Sequence, residues 1–332
     1  ADRLRNSAFI IGNQNPNKKN EFETISLNNL GANNIYSEPS DVTRTFAPHP
    51  FVPPEDEMTT RCNEIFSIQV GGLATRLFHT GIKKAVVGIS GGLDSTLALL
   101  VMVKTFDKLG LPRENIVGIT MPGFGTTGRT YNNSLNMMKS LGVTIKEVDI
   151  KPACLQHLKD IDHDLSILDV SYENTQARER TQILMDYANK IGGLVVGTGD
   201  LSELVLGWAT YNGDHMSMYA VNTSIPKTLV RYMVKYAALY EMDEAAKETL
   251  LDVCDTPVSP ELLPANEKGE IQQVTEDLVG PYELHDFFIY NFMRFGYSPE
   301  KIYFLAKKAF EGSYDEETIL KWLKTFVRRF FS

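Results

Sequence analysis

Cysteine is scarce in this chain of 332 residues: Cys62, Cys154 and Cys254 stand far apart, with no CxxC or zinc-like spacing. A disulfide framework and a cysteine-built zinc site are thereby excluded, and buried or idle thiols are expected. The six histidines form no HExxH pair, so a structural metal site is not expected from them either. Long basic runs are missing. With 33 Lys and Arg against 42 Asp and Glu the net charge is −9, which disfavours nucleic acid as a principal partner. No apolar run reaches membrane-spanning length and the polar opening ADRLRNS does not read as a secretory signal, so no membrane partner and a cytoplasmic setting are expected. One common nucleotide loop is missing as well, since GxxxxGK[ST] does not occur, and the glycines between the first strand and its helix do not form a GxGxxG fingerprint.

What the chain does have is AVVGISGGLDSTLALL, Ala85 to Leu100. Ala85 to Ile89 reads as a short buried strand, and Leu93, Leu97, Leu100 and Val101 repeat at helical spacing beyond it. The turn between them contains Ser90, Gly91 and Gly92. A strand turning through two glycines into a helix brings backbone N–H groups together where the helix dipole also favours an anion, most naturally a phosphate. Ser90 and Ser95 add hydroxyls, and Asp94 sets a carboxylate beside that site, the usual arrangement for a bridging divalent cation. The plainer alternative is a tight turn in which Asp94 and Ser95 merely cap a helix.

Hydrophobic residues at 43% and charged residues at 23% are ordinary for a globular chain of this length. Residues 1–54 lack periodicity, are rich in Asn and end among Pro39, Pro48, Pro50, Pro53 and Pro54, so they read as a linker or irregular arm with at most short strands near Phe9–Ile11 and Phe22–Ile25. One or two helices are expected over 55–80. Strands at 85–89, 115–121, 143–150 and 193–198 then alternate with helices at 130–141, 152–161 and 173–191, which argues for βαβ units around a parallel sheet. The remainder reads as helical, at 227–240, 243–253, 281–295, 299–310 and 316–331, with aromatic residues that suit packing; a mobile loop is expected between Cys254 and Gly280. Three chemically suggestive segments, SGGLDST, MPGFGTT and GTGDLSE, each follow a strand, where ligands of such sheets gather.

SGGLDST resembles the pyrophosphate-binding loop SGGxDS of the ATP pyrophosphatases. With MPGFGTT (121–127), ENTQARER (173–180), GTGDLSE (197–203) and NTSIPKT (222–228), in that order, the chain from about His49 onward resembles the NAD synthetases, in particular the synthetase domain of the glutamine-dependent kind. The resemblance implies a doubly wound α/β fold, adenine nucleotide alpha hydrolase-like, over 55–260 with a helical extension over 261–332. It also implies ATP-dependent adenylylation of the nicotinate carboxylate of deamido-NAD, then attack by ammonia.

Carried onto these positions, the resemblance makes Ser90, Gly91, Gly92, Asp94, Ser95, Thr96 and Thr198 ATP ligands. Asp94 and Glu203 would hold Mg2+, and Lys227 would approach the phosphates. Asn174, Arg178, Asp214, Lys227 and Ser259 would contact deamido-NAD, with Asp94, Lys227 and Asp214 carrying the chemistry. Plainer readings stand beside these: Asp200 and Glu203 have the spacing of a capping box, Arg178 could pair with Glu179, Asp214 could serve a turn after Gly213, and Lys227 could be a solvated first-turn lysine. A glutaminase domain with a nucleophilic cysteine, which relatives of this kind carry, is not expected within this chain; a homo-oligomer with a dimeric core is. Alternatives are another adenylylating amidotransferase domain resembling GMP synthetase, or a silent nucleotide-binding module.

Overall fold

The computed structural model describes residues 44–256, 259, 262–263 and 275–332, so the short strands expected near Phe9 and Phe22 lie outside the described residues. In chain order the elements are α1 (Met58–Thr80), β1 (Ala85–Gly88), α2 (Leu93–Leu109), β2 (Ile116–Thr120), α3 (Gly128–Ser140), β3 (Thr144–Glu147), α4 (Lys151–Asp160), α5 (Val170–Ile191), β4 (Leu194–Gly197), α6 (Leu201–Leu206), β5 (Tyr219–Ala220), α7 (Lys227–Tyr240), α8 (Glu244–Cys254), α9 (Thr275–Val279), α10 (Tyr282–Ile289), α11 (Pro299–Ala309) and α12 (Glu316–Phe330).

The strands form one parallel sheet in the order β3-β2-β1-β4-β5, with Ala85 level with Ile116 on one side and Leu194 on the other. The chain winds outward from β1 to β3 and returns through α4 and α5 to lay β4 against the free edge of β1. The winding therefore reverses between β1 and β4, and a doubly wound sheet opens its ligand crevice at the carboxyl ends of such a strand pair. SGGLDST and GTGDLSE are the turns at those two ends.

Alternation along β1 builds a core on each face. Ala85 and Val87 pack with α1, α2 and α7, around Leu73, Leu97, Phe106 and Val234. Val86 turns to the other face and meets Ile119, Ile150, Cys154 and Ala188, so both faces are covered, as a parallel sheet requires. A third cluster joins α10, α11 and α12 to Leu206 of α6; Phe287, Phe288, Phe310 and Phe326 are its large members, and their role is packing. Burial lifts the thiols of Cys62 to about 12 and of Cys154 and Cys254 to about 11, which leaves all three inert.

Several boundaries differ from the sequence reading. The third strand is confined to Thr144–Glu147, where it can still pair with β2, and the residues after it turn into α4. The helix expected over 281–295 runs to Ile289 and continues as a π-helical turn, Tyr290–Arg294. Strand β5 was not expected; two residues pairing with Val196 and Gly197 carry no periodicity. Within the segment read as a mobile loop, Thr275–Val279 is helical; most of its interior lies outside the described residues.

One buried histidine makes the third cluster sensitive to acid. His285 is fully buried, its Nε2 lies 2.7 Å from the Val279 carbonyl oxygen, and burial holds its pKa down at about 4 rather than 6.5. The unfolded chain takes up a proton that the folded chain refuses, so this contribution to stability is full above pH 6.5 and falls as the pH drops toward 4. The loss should reach roughly 2 to 3 kcal/mol near pH ~4.5. Denaturant unfolding of the wild type and of His285→Gln at neutral pH and at that acid pH measures it, and the wild type should show the steeper acid loss by that amount.

Candidate active site

Backbone geometry explains why two glycines occupy the first turn. Gly91 has φ +86°, and a Cβ there would lie 2.2 Å from the Thr130 carbonyl oxygen, so α3 passes where only glycine fits. Gly92 is extended and starts α2, its carbonyl receiving the Thr96 N–H and both the Ser95 and Thr96 hydroxyls. Gly91→Ala is expected to force this loop off α3, lowering unfolding free energy by about 1 to 3 kcal/mol. Denaturant titration of the variant against wild type checks it.

Ser90, Gly92, Asp94, Ser95, Thr198, Glu203, Asp214 and Ser259 line a single cleft between the ends of β1 and β4. Thr96 does not: it is fully buried with its hydroxyl committed to Gly92, a helix-starting role. Gly91 lies buried against α3. Asn174 and Arg178 engage the loop before β5 instead of lining the cleft. The Thr210 hydroxyl donates to Asn174 Oδ1 at 3.1 Å, Arg178 Nε donates to the Tyr211 carbonyl at 3.1 Å, and Asp214 Oδ1 accepts the Thr210 N–H at 2.7 Å. Asp214 thus serves the turn and faces the cleft as well.

Lys227, the first residue of α7, is only 3% exposed, so the solvated first-turn lysine is not what the structure contains. Its ammonium lies 2.7 Å from Asp94 Oδ2, 2.9 Å from Asp200 Oδ2 and 2.9 Å from Glu203 Oε1. Burial pulls the lysine pKa down, but the three carboxylates outweigh it and hold the value well above the usual lysine range. Asp200 is raised well above the ordinary carboxylate range by burial, with Lys227 opposing and the neighbouring acids adding to the rise; Glu203 is raised by burial too, with Lys227 opposing and Asp94 adding.

The capping box expected from D-x-x-E is present, and it does not compete with a role in the site. Asp200 Oδ1 accepts the Glu203 N–H at 2.8 Å and Glu203 Oε2 accepts the Asp200 N–H at 3.4 Å, which leaves the other oxygen of each acid turned to Lys227. Asp94, Asp200 and Glu203 each offer one oxygen within 4.8 Å of the others.

Three supporting residues were not singled out from the sequence. Asn222 is fully buried and its Nδ2 donates to the Asp94 carbonyl at 2.9 Å and to the Thr198 carbonyl at 3.0 Å, tying the two strand-end turns together. Asp286 of α10 accepts the Ser202 hydroxyl, and the Thr228 N–H and hydroxyl at 2.9 and 2.6 Å. Ser202 in turn accepts the Lys227 N–H at 2.9 Å, so one buried carboxylate fastens the starts of α6 and α7 to the C-terminal helices. Asn222 sits inside NTSIPKT with no local signal of its task. Asp286 does leave a signal, an acid within the aromatic run YELHDFFIYNF.

The family model described as NAD synthase matches residues 66–249. The glutamine-dependent NAD(+) synthetase of Mycobacterium leprae is 41% identical over 306 residues, covering 85% of this chain and 45% of that protein. The chain thus spans about half the length of the curated relatives it matches. Among solved structures, the NMN synthetase from Francisella tularensis has a TM-score of 0.59 at 23% identity, covering 76% of this chain and 96% of that one. The glutamine-dependent NAD+ synthetase from Acinetobacter baumannii, solved in complex with adenosine diphosphate, has a TM-score of 0.53 at 23% identity, covering 81% of this chain and 45% of that one. At these identities the two structures show a shared fold.

Proposed function

We propose a reaction for this cleft from one premise: the chain belongs to the NAD synthase family. The reaction is ATP-dependent amidation of deamido-NAD, in which the nicotinate carboxylate takes AMP from ATP, pyrophosphate leaves, and ammonia displaces AMP to give NAD. This is a ligase forming a carbon–nitrogen bond. The observation that carries the reading is the meeting of a glycine turn at a helix start with three carboxylates and a buried ammonium, at the reversal point of a parallel sheet. A cytoplasmic setting and a homo-oligomer with a dimeric core belong to the same reading.

Direct amidation of a carboxylate fails because oxide is too poor a leaving group, so the acid must first be activated. Ser90, Ser95 and the start of α2 face the cleft where the phosphates would lie, with Thr198 across from them. The donor set fits magnesium: its atoms are hard carboxylate oxygens, and Asp94 Oδ1 is buried with no hydrogen-bond partner. Asp94 and Glu203 would hold the ion, whose positive charge would stabilise the departing pyrophosphate. Lys227 brings a fixed positive charge to the same region. Asp214 and Ser259 face the cleft, and Asn174 and Arg178 brace the loop carrying Asp214, which favours the side proposed for deamido-NAD for all four.

Oxygen labelling tests the activation step. With 18O in the nicotinate carboxylate of deamido-NAD, one labelled oxygen should appear in AMP and none in pyrophosphate. Label in pyrophosphate or phosphate alone would refute adenylylation.

A further inference from the structure

We propose that Asp200 is a third carboxylate of the cation site and that Lys227 and a divalent cation are its alternative occupants. The proposal deepens the reading above and rests on it for the identity of the cleft. The capping box holds the second oxygen of Asp200 and of Glu203, so neither acid can swing away from the cage without uncapping α6. Asp200 is 0% exposed, and its Oδ2 is in ion contact with the Lys227 ammonium but forms no aligned hydrogen bond. Asp94 Oδ1 is buried and unpartnered as well.

Three carboxylates surround one ammonium, more acid groups than a single positive charge can balance. The ammonium already touches the oxygens that a cation would need, and two cations sharing them would repel each other strongly. A dication therefore enters by replacing the ammonium. Lysine has a flexible stem, and the ammonium needs new acceptors once displaced. A triphosphate in the cleft beside Asp94, Ser90 and Ser95 supplies them. The cation alone has to evict the lysine from three carboxylates toward a cleft lined by hydroxyls such as those of Ser90, Ser95 and Thr198, which are weaker acceptors, so it binds weakly; cation and triphosphate together satisfy both partners.

Mn2+ alone is the probe, with free ion counted by electron paramagnetic resonance on the full chain. Lys227→Met and Lys227→Gln remove the competing charge and should bind one Mn2+ at least about tenfold tighter than wild type, whereas Lys227→Arg should stay as weak as wild type. Adding Asp200→Asn, which keeps an oxygen for the cap, should abolish the gain in the Lys227→Gln background. Equal affinity in wild type and the neutral variants, no binding to the neutral variants, or a gain that survives Asp200→Asn would overturn the proposal. If Lys227→Met does not fold, Lys227→Gln carries the comparison, since its amide can still bond the cage. Loss of NAD formation would sink the proposed reaction and leave these affinities standing.

Discussion

Asp94→Ala should lower pyrophosphate release by roughly a hundredfold to a thousandfold, about 2.7 to 4 kcal/mol of barrier, the usual effect of removing a preorganised charge. The loss should be catalytic, because the backbone of Asp94 is held independently of its side chain. Asn222 Nδ2 grips its carbonyl, Gly92 starts the helix just before Leu93, and the Leu93 and Leu97 side chains stay in the core. Circular dichroism and the unfolding midpoint should therefore remain close to wild type while pyrophosphate release collapses. A variant that is folded and fully active would remove Asp94 from the mechanism.

Lys227→Met should cost stability on a larger scale than any other single change considered, roughly 3 to 5 kcal/mol, because it leaves buried carboxylates without their counter-charge. The deficit against wild type should shrink as the pH falls. Asp200 and Glu203 have folded pKa values above their ordinary ones, so the folded variant gains protons on acidification and the excess negative charge is neutralised. Denaturant unfolding of both proteins across the acid range measures this, and a deficit that stays constant with pH would mean that the cost is lost packing against Tyr282 and not charge.

These two residues also mark how much of the site was legible in advance. Asp94 could be proposed from SGGLDST as a carboxylate beside a phosphate-binding turn, with helix capping as the plainer alternative, and the structure places it in the cleft. Four of the five strands were visible in the same way, from short apolar runs bounded by turns. Lys227 came forward as a candidate mainly through the family resemblance, with its unfavourable place in the first turn of a helix as a minor local hint, and its burial was not legible at all. Two of its partners, Asp94 and Glu203, are 133 and 24 positions away, and a lysine at a helix start is ordinarily solvated. Asp200 was read as a cap, which is true of one oxygen; the other oxygen's task depends on α7 arriving from across the sheet. Asn222 and Asp286 act on carbonyls and hydroxyls from distant segments, which no local pattern encodes. Thr96, which the resemblance assigns to the phosphates, is buried with its hydroxyl donated to the Gly92 carbonyl in the first turn of α2.

The most direct test of the central claim is an incubation of the chain with deamido-NAD, ATP, magnesium and ammonium, with products separated by chromatography. The account predicts NAD, AMP and pyrophosphate in equal amounts, with no NAD when ammonium is left out. ADP and phosphate in place of AMP and pyrophosphate, or no NAD from a folded chain that binds ATP, would contradict it.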